Sequence, residues 1–177
     1  MERSREITQW ANSMQQNQTS DWDGLPDLDL YMDQVTTYMA KQLHQFESST
    51  SKKLLTSSMI NNYVKNGLIP RPRKKKYSKK HIAMLMMVCA LKNVLPQPDL
   101  VSMLSTLNIS GEDQALYEHF RESQNASFSD TCSRIQQTGY DESALMELAF
   151  QLSIEANARR TAAQKIIRSL YRPAPTD

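Results

Sequence analysis

The chain has 177 residues, 21 of them basic and 19 acidic, with a formal net charge of +2 at pH 7. This length suits one domain, or one domain with an extension, and can bury a sizeable core. Two cysteines, Cys89 and Cys132, exclude a disulfide framework. No apolar run approaches the roughly 20 residues needed to cross a bilayer, and the N-terminus has no apolar signal region. A reducing, cytoplasmic setting is expected, with no membrane partner.

Residues 3–15 are predicted as an amphipathic helix with Ile7, Trp10, Ala11 and Met14 on one face. Residues 17–24 are polar and turn-rich. Trp10 and Trp22 lie close together near the N-terminus, which suggests that this arm docks on the body rather than floats. Asp29 is the expected N-cap of a helix running to about Leu43. Its apolar face would comprise Tyr31, Val35, Tyr38, Met39 and Leu43. Residues 44–53 are rich in Ser and Thr and read as a loop, with Lys52 and Lys53 available for backbone contacts to a polyanion.

The next stretch, 54–95, organises the chain. Thr56 is a good N-cap, and Leu55 with Ile60 is placed for a hydrophobic staple. Ile60, Tyr63 and Val64 give a short helix one apolar face. Gly67 stands where a left-handed cap is needed, and Pro70 forbids continuation. A helix of about ten residues is too short to be stable alone, so it must dock. Its other faces carry Ser57, Ser58, Asn61, Asn62 and Lys65, short polar groups able to reach base edges. Taken alone, this polar face is what any solvated amphipathic helix presents.

The following residues change that weighting. From 65 to 80 there are eight basic residues and no acidic one, leaving 13 basic against 19 acidic elsewhere, a net of −6. Such a patch concentrates polyanions and releases their counterions. Beside a polar short helix it would set phosphate contacts next to base contacts. The expected phosphate contacts are Tyr63, Arg71, Arg73, Lys74, Lys75, Lys76, Tyr77 and Lys79. Ser78 is predicted to cap a helix whose residues 82–91 are apolar without a break, so it should be buried all round as the central core helix.

MINNYVKNGLIPRP followed by KKKYSKKHIAML resembles the DNA-binding domain of MerR-type transcription regulators. Ile60, Tyr63, Lys65, Gly67, Leu68, Ile69 and Pro70 fall on matching positions, as do Tyr77, Ser78, Ile82 and Leu85. Asn61 and Asn62 stand where that family carries Arg and Tyr. The segment from LPDLDLYMDQVTTYM through the core helix is similar to the YkrK-like domain-of-unknown-function family (DUF1836 type). The resemblance implies an all-α fold: a MerR-like winged helix-turn-helix domain over 25–108, an N-terminal helical arm over 1–24 and a C-terminal helical region over 109–177. At most a tiny β-hairpin would serve as the wing. It also implies dimerisation through a C-terminal helix.

Beyond the core helix, Pro98 suits a first helical position, and Leu100, Val101, Leu104 and Leu107 follow at helical spacing. Leu116, Tyr117 and Phe120 mark another helix. Phe128, Cys132 and Ile135 mark one more, ended by Gly139. Asp141 is placed to cap a final helix of about thirty residues, roughly 45 Å long, ended by Pro173. It would either pair with a second copy or pack along its own chain.

Several chemistries lack their signatures. Four scattered glycines cannot form a phosphate-cradling loop. His44, His81 and His119 are far apart, and two cysteines cannot make a metal site alone. His81, within the basic segment, is expected at the surface. No catalytic residue, cofactor or metal is expected, and no enzyme. Three readings remain: a homodimeric regulator binding double-stranded DNA, a protein-interaction adaptor with its basic patch on an acidic partner, and a sensor of a small-molecule effector.

Overall fold

The computed structural model describes residues 2–43, 54–108 and 110–171. The expected loop at 44–53, with Lys52 and Lys53, lies outside the described residues, as do His44 and Pro173. Among the described residues seven helices form: α1 (Glu2–Gln16), α2 (Met32–Leu43), α3 (Ser57–Lys65), α4 (Lys79–Leu91), α5 (Gln97–Leu107), α6 (Asp113–Thr138) and α7 (Glu142–Leu170). No strand occurs among the described residues, so the chain is all-α.

Two compact units divide the chain, each discontinuous in sequence. One holds Met1–Thr19 and Arg121–Ala163; the other holds Ser20–Phe120 and Gln164–Asp177. In the second unit, α4 is the core element. His81, Ile82, Ala83, Leu85, Met86, Met87, Val88 and Cys89 are all buried, a run too long for any single face. Burial pushes the Cys89 thiol up to about 11, so it stays protonated and inert. Helix α2 packs on both α4 and α3; it buries Val35, Met39 and Leu43, and α3 buries Ile60 and Tyr63. The last turns of α7 also belong to this unit. Arg168 reaches the largely buried carboxylate of Asp99, Nη2 to Oδ2 at 3.0 Å, and Gln164 donates to the Val94 carbonyl.

In the first unit, α1 buries Ala11 and Met14, while Ile7 and Trp10 remain 39% and 47% exposed. Gln136 of α6 donates to Asn12 and Gln15 of α1. Arg134 of α6 grips Glu155 of α7 with two bonds of 3.0 and 2.8 Å. Asp141 caps α7, its Oδ1 accepting from the amides of Ser143 and Ala144.

Two expectations need correction. The helix expected to start after Asp29 begins at Met32. Leu30 is instead extended, exchanging both backbone hydrogen bonds with Tyr77 at 2.9 and 2.8 Å. Pairing across the chain therefore overrides a local cap. The two helices expected around Phe120 and Phe128 are one, α6. Its polar middle hid the continuity, and tertiary bonds explain it: Asn125 accepts from the Thr19 amide, and Gln124 donates to the Thr19 hydroxyl.

Candidate nucleic-acid interface

Helix α3 is nine residues long and held by its ends. Thr56 Oγ1 accepts from the Met59 amide at 3.3 Å, which satisfies one of the free donors of the first turn. At the other end Gly67 has φ +73°, and the amides of Leu68 and Ile69 fold back on the Tyr63 carbonyl. Ile60 is fully buried. Ser57, Ser58, Asn61, Asn62 and Lys65 are all exposed. At 3.6 residues per turn these five fall within an arc of about 140°, so they form one polar face. Asn62 Oδ1 already accepts from Asn66 Nδ2 at 2.6 Å.

The basic segment follows directly. Lys74 and Lys75 both have positive φ, 50° and 63°, and the Lys76 amide donates to the Arg73 carbonyl at 2.9 Å. That is a two-residue type I′ turn, the geometry that matches the twist of a hairpin. Asn and Gly usually fill it; here two lysines do, at a cost on the order of 1 kcal/mol each. The expected tiny hairpin is thus one turn closed by an isolated bridge, Arg73 to Tyr77's neighbour Lys76. Arg71, Arg73, Lys74 and Lys75 are exposed.

Other residues of the segment face inward or are already engaged. Tyr63 and Tyr77, expected beside phosphates, are buried at 7% and 3% exposure. Desolvation raises both phenols, and for Tyr63 the neighbouring Cys89 adds to the effect. Lys79 bonds Asp27 and sits over the Trp22 ring, 5.7 Å from its centre. Lys76 sits 5.1 Å over Tyr31. Together with the bridge from Leu30 to Tyr77, these ties fasten residues 22–31 along the base of the basic turn. That arm is anchored in turn at Trp22, whose amide donates to Glu118 at 2.7 Å and whose ring meets Tyr117 edge-on at 6.0 Å. The sequence signal for this fastening was present only as two aromatic residues and an aspartate near a terminus.

His81, expected at the surface, is buried. Its Nδ1 accepts from the Ser78 amide at 3.0 Å and lies 2.8 Å from Ser78 Oγ, closing the start of α4. Accepting at Nδ1 leaves the neutral ring's proton on Nε2. Desolvation lowers the His81 pKa, with Lys80 pushing the same way; Asp29 and the backbone at Arg71 and Pro70 oppose it. Nε2 is buried without a hydrogen bond of good geometry, so desolvation prevails. The Tyr77 ring packs edge-on against it at 5.5 Å.

A family model matches residues 20–123, more than half of the chain. The chain belongs to the family described as Domain of unknown function (DUF1836). The DUF1836 match begins at the first residue of the second unit and ends within α6, so it takes in α3, the basic turn and the arm that braces it. No curated protein and no solved structure matches the chain. Among the described residues no cluster of three or more His, Cys, Asp or Glu could hold a metal, and no helix is long and apolar enough to cross a membrane.

Proposed function

We propose that this DUF1836 protein is a transcriptional regulator that binds double-stranded DNA through a MerR-like winged helix-turn-helix. The observation that supports the reading is an exposed polar face on α3 followed directly along the chain by an exposed basic turn. The polar face of α3 offers Ser57, Ser58, Asn61 and Lys65 to base edges, and the turn beside it offers Arg71, Arg73, Lys74 and Lys75 to phosphates. Asn61 takes the leading base contact, because the oxygen of Asn62 is occupied by Asn66. The brace from residues 22–31 holds the turn against rotation, which lowers the ordering cost on binding.

The protein acts as a homodimer in this reading, with α7 as the pairing element. None of the residues of α7 is buried, although it is 29 residues long. Met146, Phe150 and Ile154 recur every fourth position and are 72%, 63% and 54% exposed. An apolar row of that length on a soluble helix calls for a partner, and two-fold pairing gives a short reading helix its second half-site.

Selection of bound duplexes from a random pool, at two salt concentrations, tests the reading. An enriched palindrome is expected, with affinity falling steeply as salt rises. Asn61→Ala should relax preference at one position of each half-site, at about 1–3 kcal/mol of discrimination. Recovery of no enriched sequence at low salt, with a protein partner retained on the basic surface, would transfer the argument to the adaptor reading.

A further inference from the structure

A cavity of about 450 Å³ is lined by the end of α3, the turn after it, α4 and α5. Its floor is aliphatic: Val64, Leu68, Met84, Val101 and Leu104. Leu68 and Leu104 are buried, so the floor belongs to the core. Ser105 and Asn108 add polar groups, and Lys65, Arg71 and Lys80 are the charged groups of the lining. Lys80 is paired with Asp113 at 2.8 Å. Lys65 and Arg71 are exposed and have no acidic partner among the described residues. An apolar floor with uncompensated cations at its edge is complementary to an anion with an apolar body, and the volume falls in the range of small-molecule sites.

We propose that this cavity binds an amphiphilic carboxylate, with its aliphatic body on the floor and its carboxylate on Arg71 and Lys65. Arginine suits that headgroup because its planar fork pairs with both oxygens. At about 30 Å³ per water-sized group, the space takes on the order of fifteen such groups, enough for a chain of eight carbons and its headgroup. Binding has a consequence for the interface described above, and this half of the proposal rests on the DNA-binding reading. Lys65 and Arg71 belong to both surfaces, so a carboxylate that claims them withdraws two cations from the duplex. The site is then an effector site that lowers DNA affinity by competition for charge.

The test uses the full chain and sodium octanoate, followed by titration calorimetry without DNA. Octanoate is expected to bind, and octanol and acetate, which lack one half of the ligand, to bind at least tenfold more weakly. Arg71→Gln should weaken octanoate about five- to tenfold by removing the paired charge. Val101→Trp should abolish binding by filling the floor, with circular dichroism reporting the fold. Ser105→Trp, at an exposed position of the same lining, replaces it should Val101→Trp not fold. Equal affinity in wild type and in both variants, or octanol binding as well as octanoate, overturns the site. A second arm adds octanoate to a preformed protein–DNA complex and is expected to raise the apparent Kd at least threefold. Octanoate that binds the protein but leaves a tight DNA complex unchanged overturns the effector role alone. Octanoate binding with no DNA complex at any salt leaves the site standing and refutes the DNA-binding reading instead.

Discussion

Replacing Lys74 and Lys75 with Asn and Gly should change stability and DNA binding in opposite directions. Both lysines are held at positive φ, 50° and 63°. A left-handed side-chain-bearing residue costs on the order of 1–2 kcal/mol, so the pair stores roughly 2 kcal/mol at the low end. Asn tolerates the first position and Gly the second. Glycine gives back roughly 0.5–1 kcal/mol through the greater freedom of the unfolded chain. The net gain is about 1 kcal/mol, which in a chain of this size raises Tm by about 2–4 °C. Nothing else in the turn need move, because its closing bond joins the Lys76 amide to the Arg73 carbonyl and involves neither replaced side chain. The same change removes two exposed cations. If each neutralises one phosphate, the slope of log affinity against log salt becomes shallower by about 1.8. Urea or thermal unfolding reads the first quantity and DNA titration across a salt series reads the second. A destabilised variant would refute the turn geometry. A stabilised variant with an unchanged salt slope would refute the phosphate contacts.

Three further outcomes are expected. Thr56→Ala should destabilise by about 1 kcal/mol in urea unfolding, since it strands the Met59 amide that the hydroxyl satisfies. Stability should fall as pH drops below about 6.5, because the His81 pKa is lowered in the folded protein: the unfolded chain takes up the proton first, and the loss continues until the folded-state pKa is passed. His81→Gln should flatten that part of the profile, and an unaltered slope between pH 7 and 5.5 would remove His81 as its cause. Phe150→Glu should shift sedimentation from dimer to monomer while leaving the helical circular dichroism of the chain unchanged, since Phe150 is 63% exposed within its own chain; a dimer that survives the change would place the pairing surface elsewhere.

Much of the fold was legible where its signals are local. Thr56, Gly67, Ser78 and Asp141 act on amides or dihedrals within three residues of themselves, and the apolar run of α4 declares burial whatever surrounds it. The polar face of α3 follows from helical spacing alone, and its five residues are exposed as that spacing implies. The failures have two causes. Asp29, the middle of α6 and Tyr77 each have a local preference that a distant partner outweighs, whereas His81 is drawn in by Ser78, three residues before it.

Sequence by itself determined the caps at Thr56, Gly67 and Asp141, the buried identity of α4 and the separation of positive charge into 65–80, because dihedral limits, periodicity and charge count need no knowledge of the remaining chain. Tertiary structure alone decided which cations of that segment stay free. Lys79 is drawn to Asp27 and Lys76 to Tyr31, whereas Arg71, Arg73, Lys74 and Lys75 remain exposed. The partners lie some fifty residues away for Lys79, and their approach depends on the packing of an arm whose own residues carry no charge pattern that announces it.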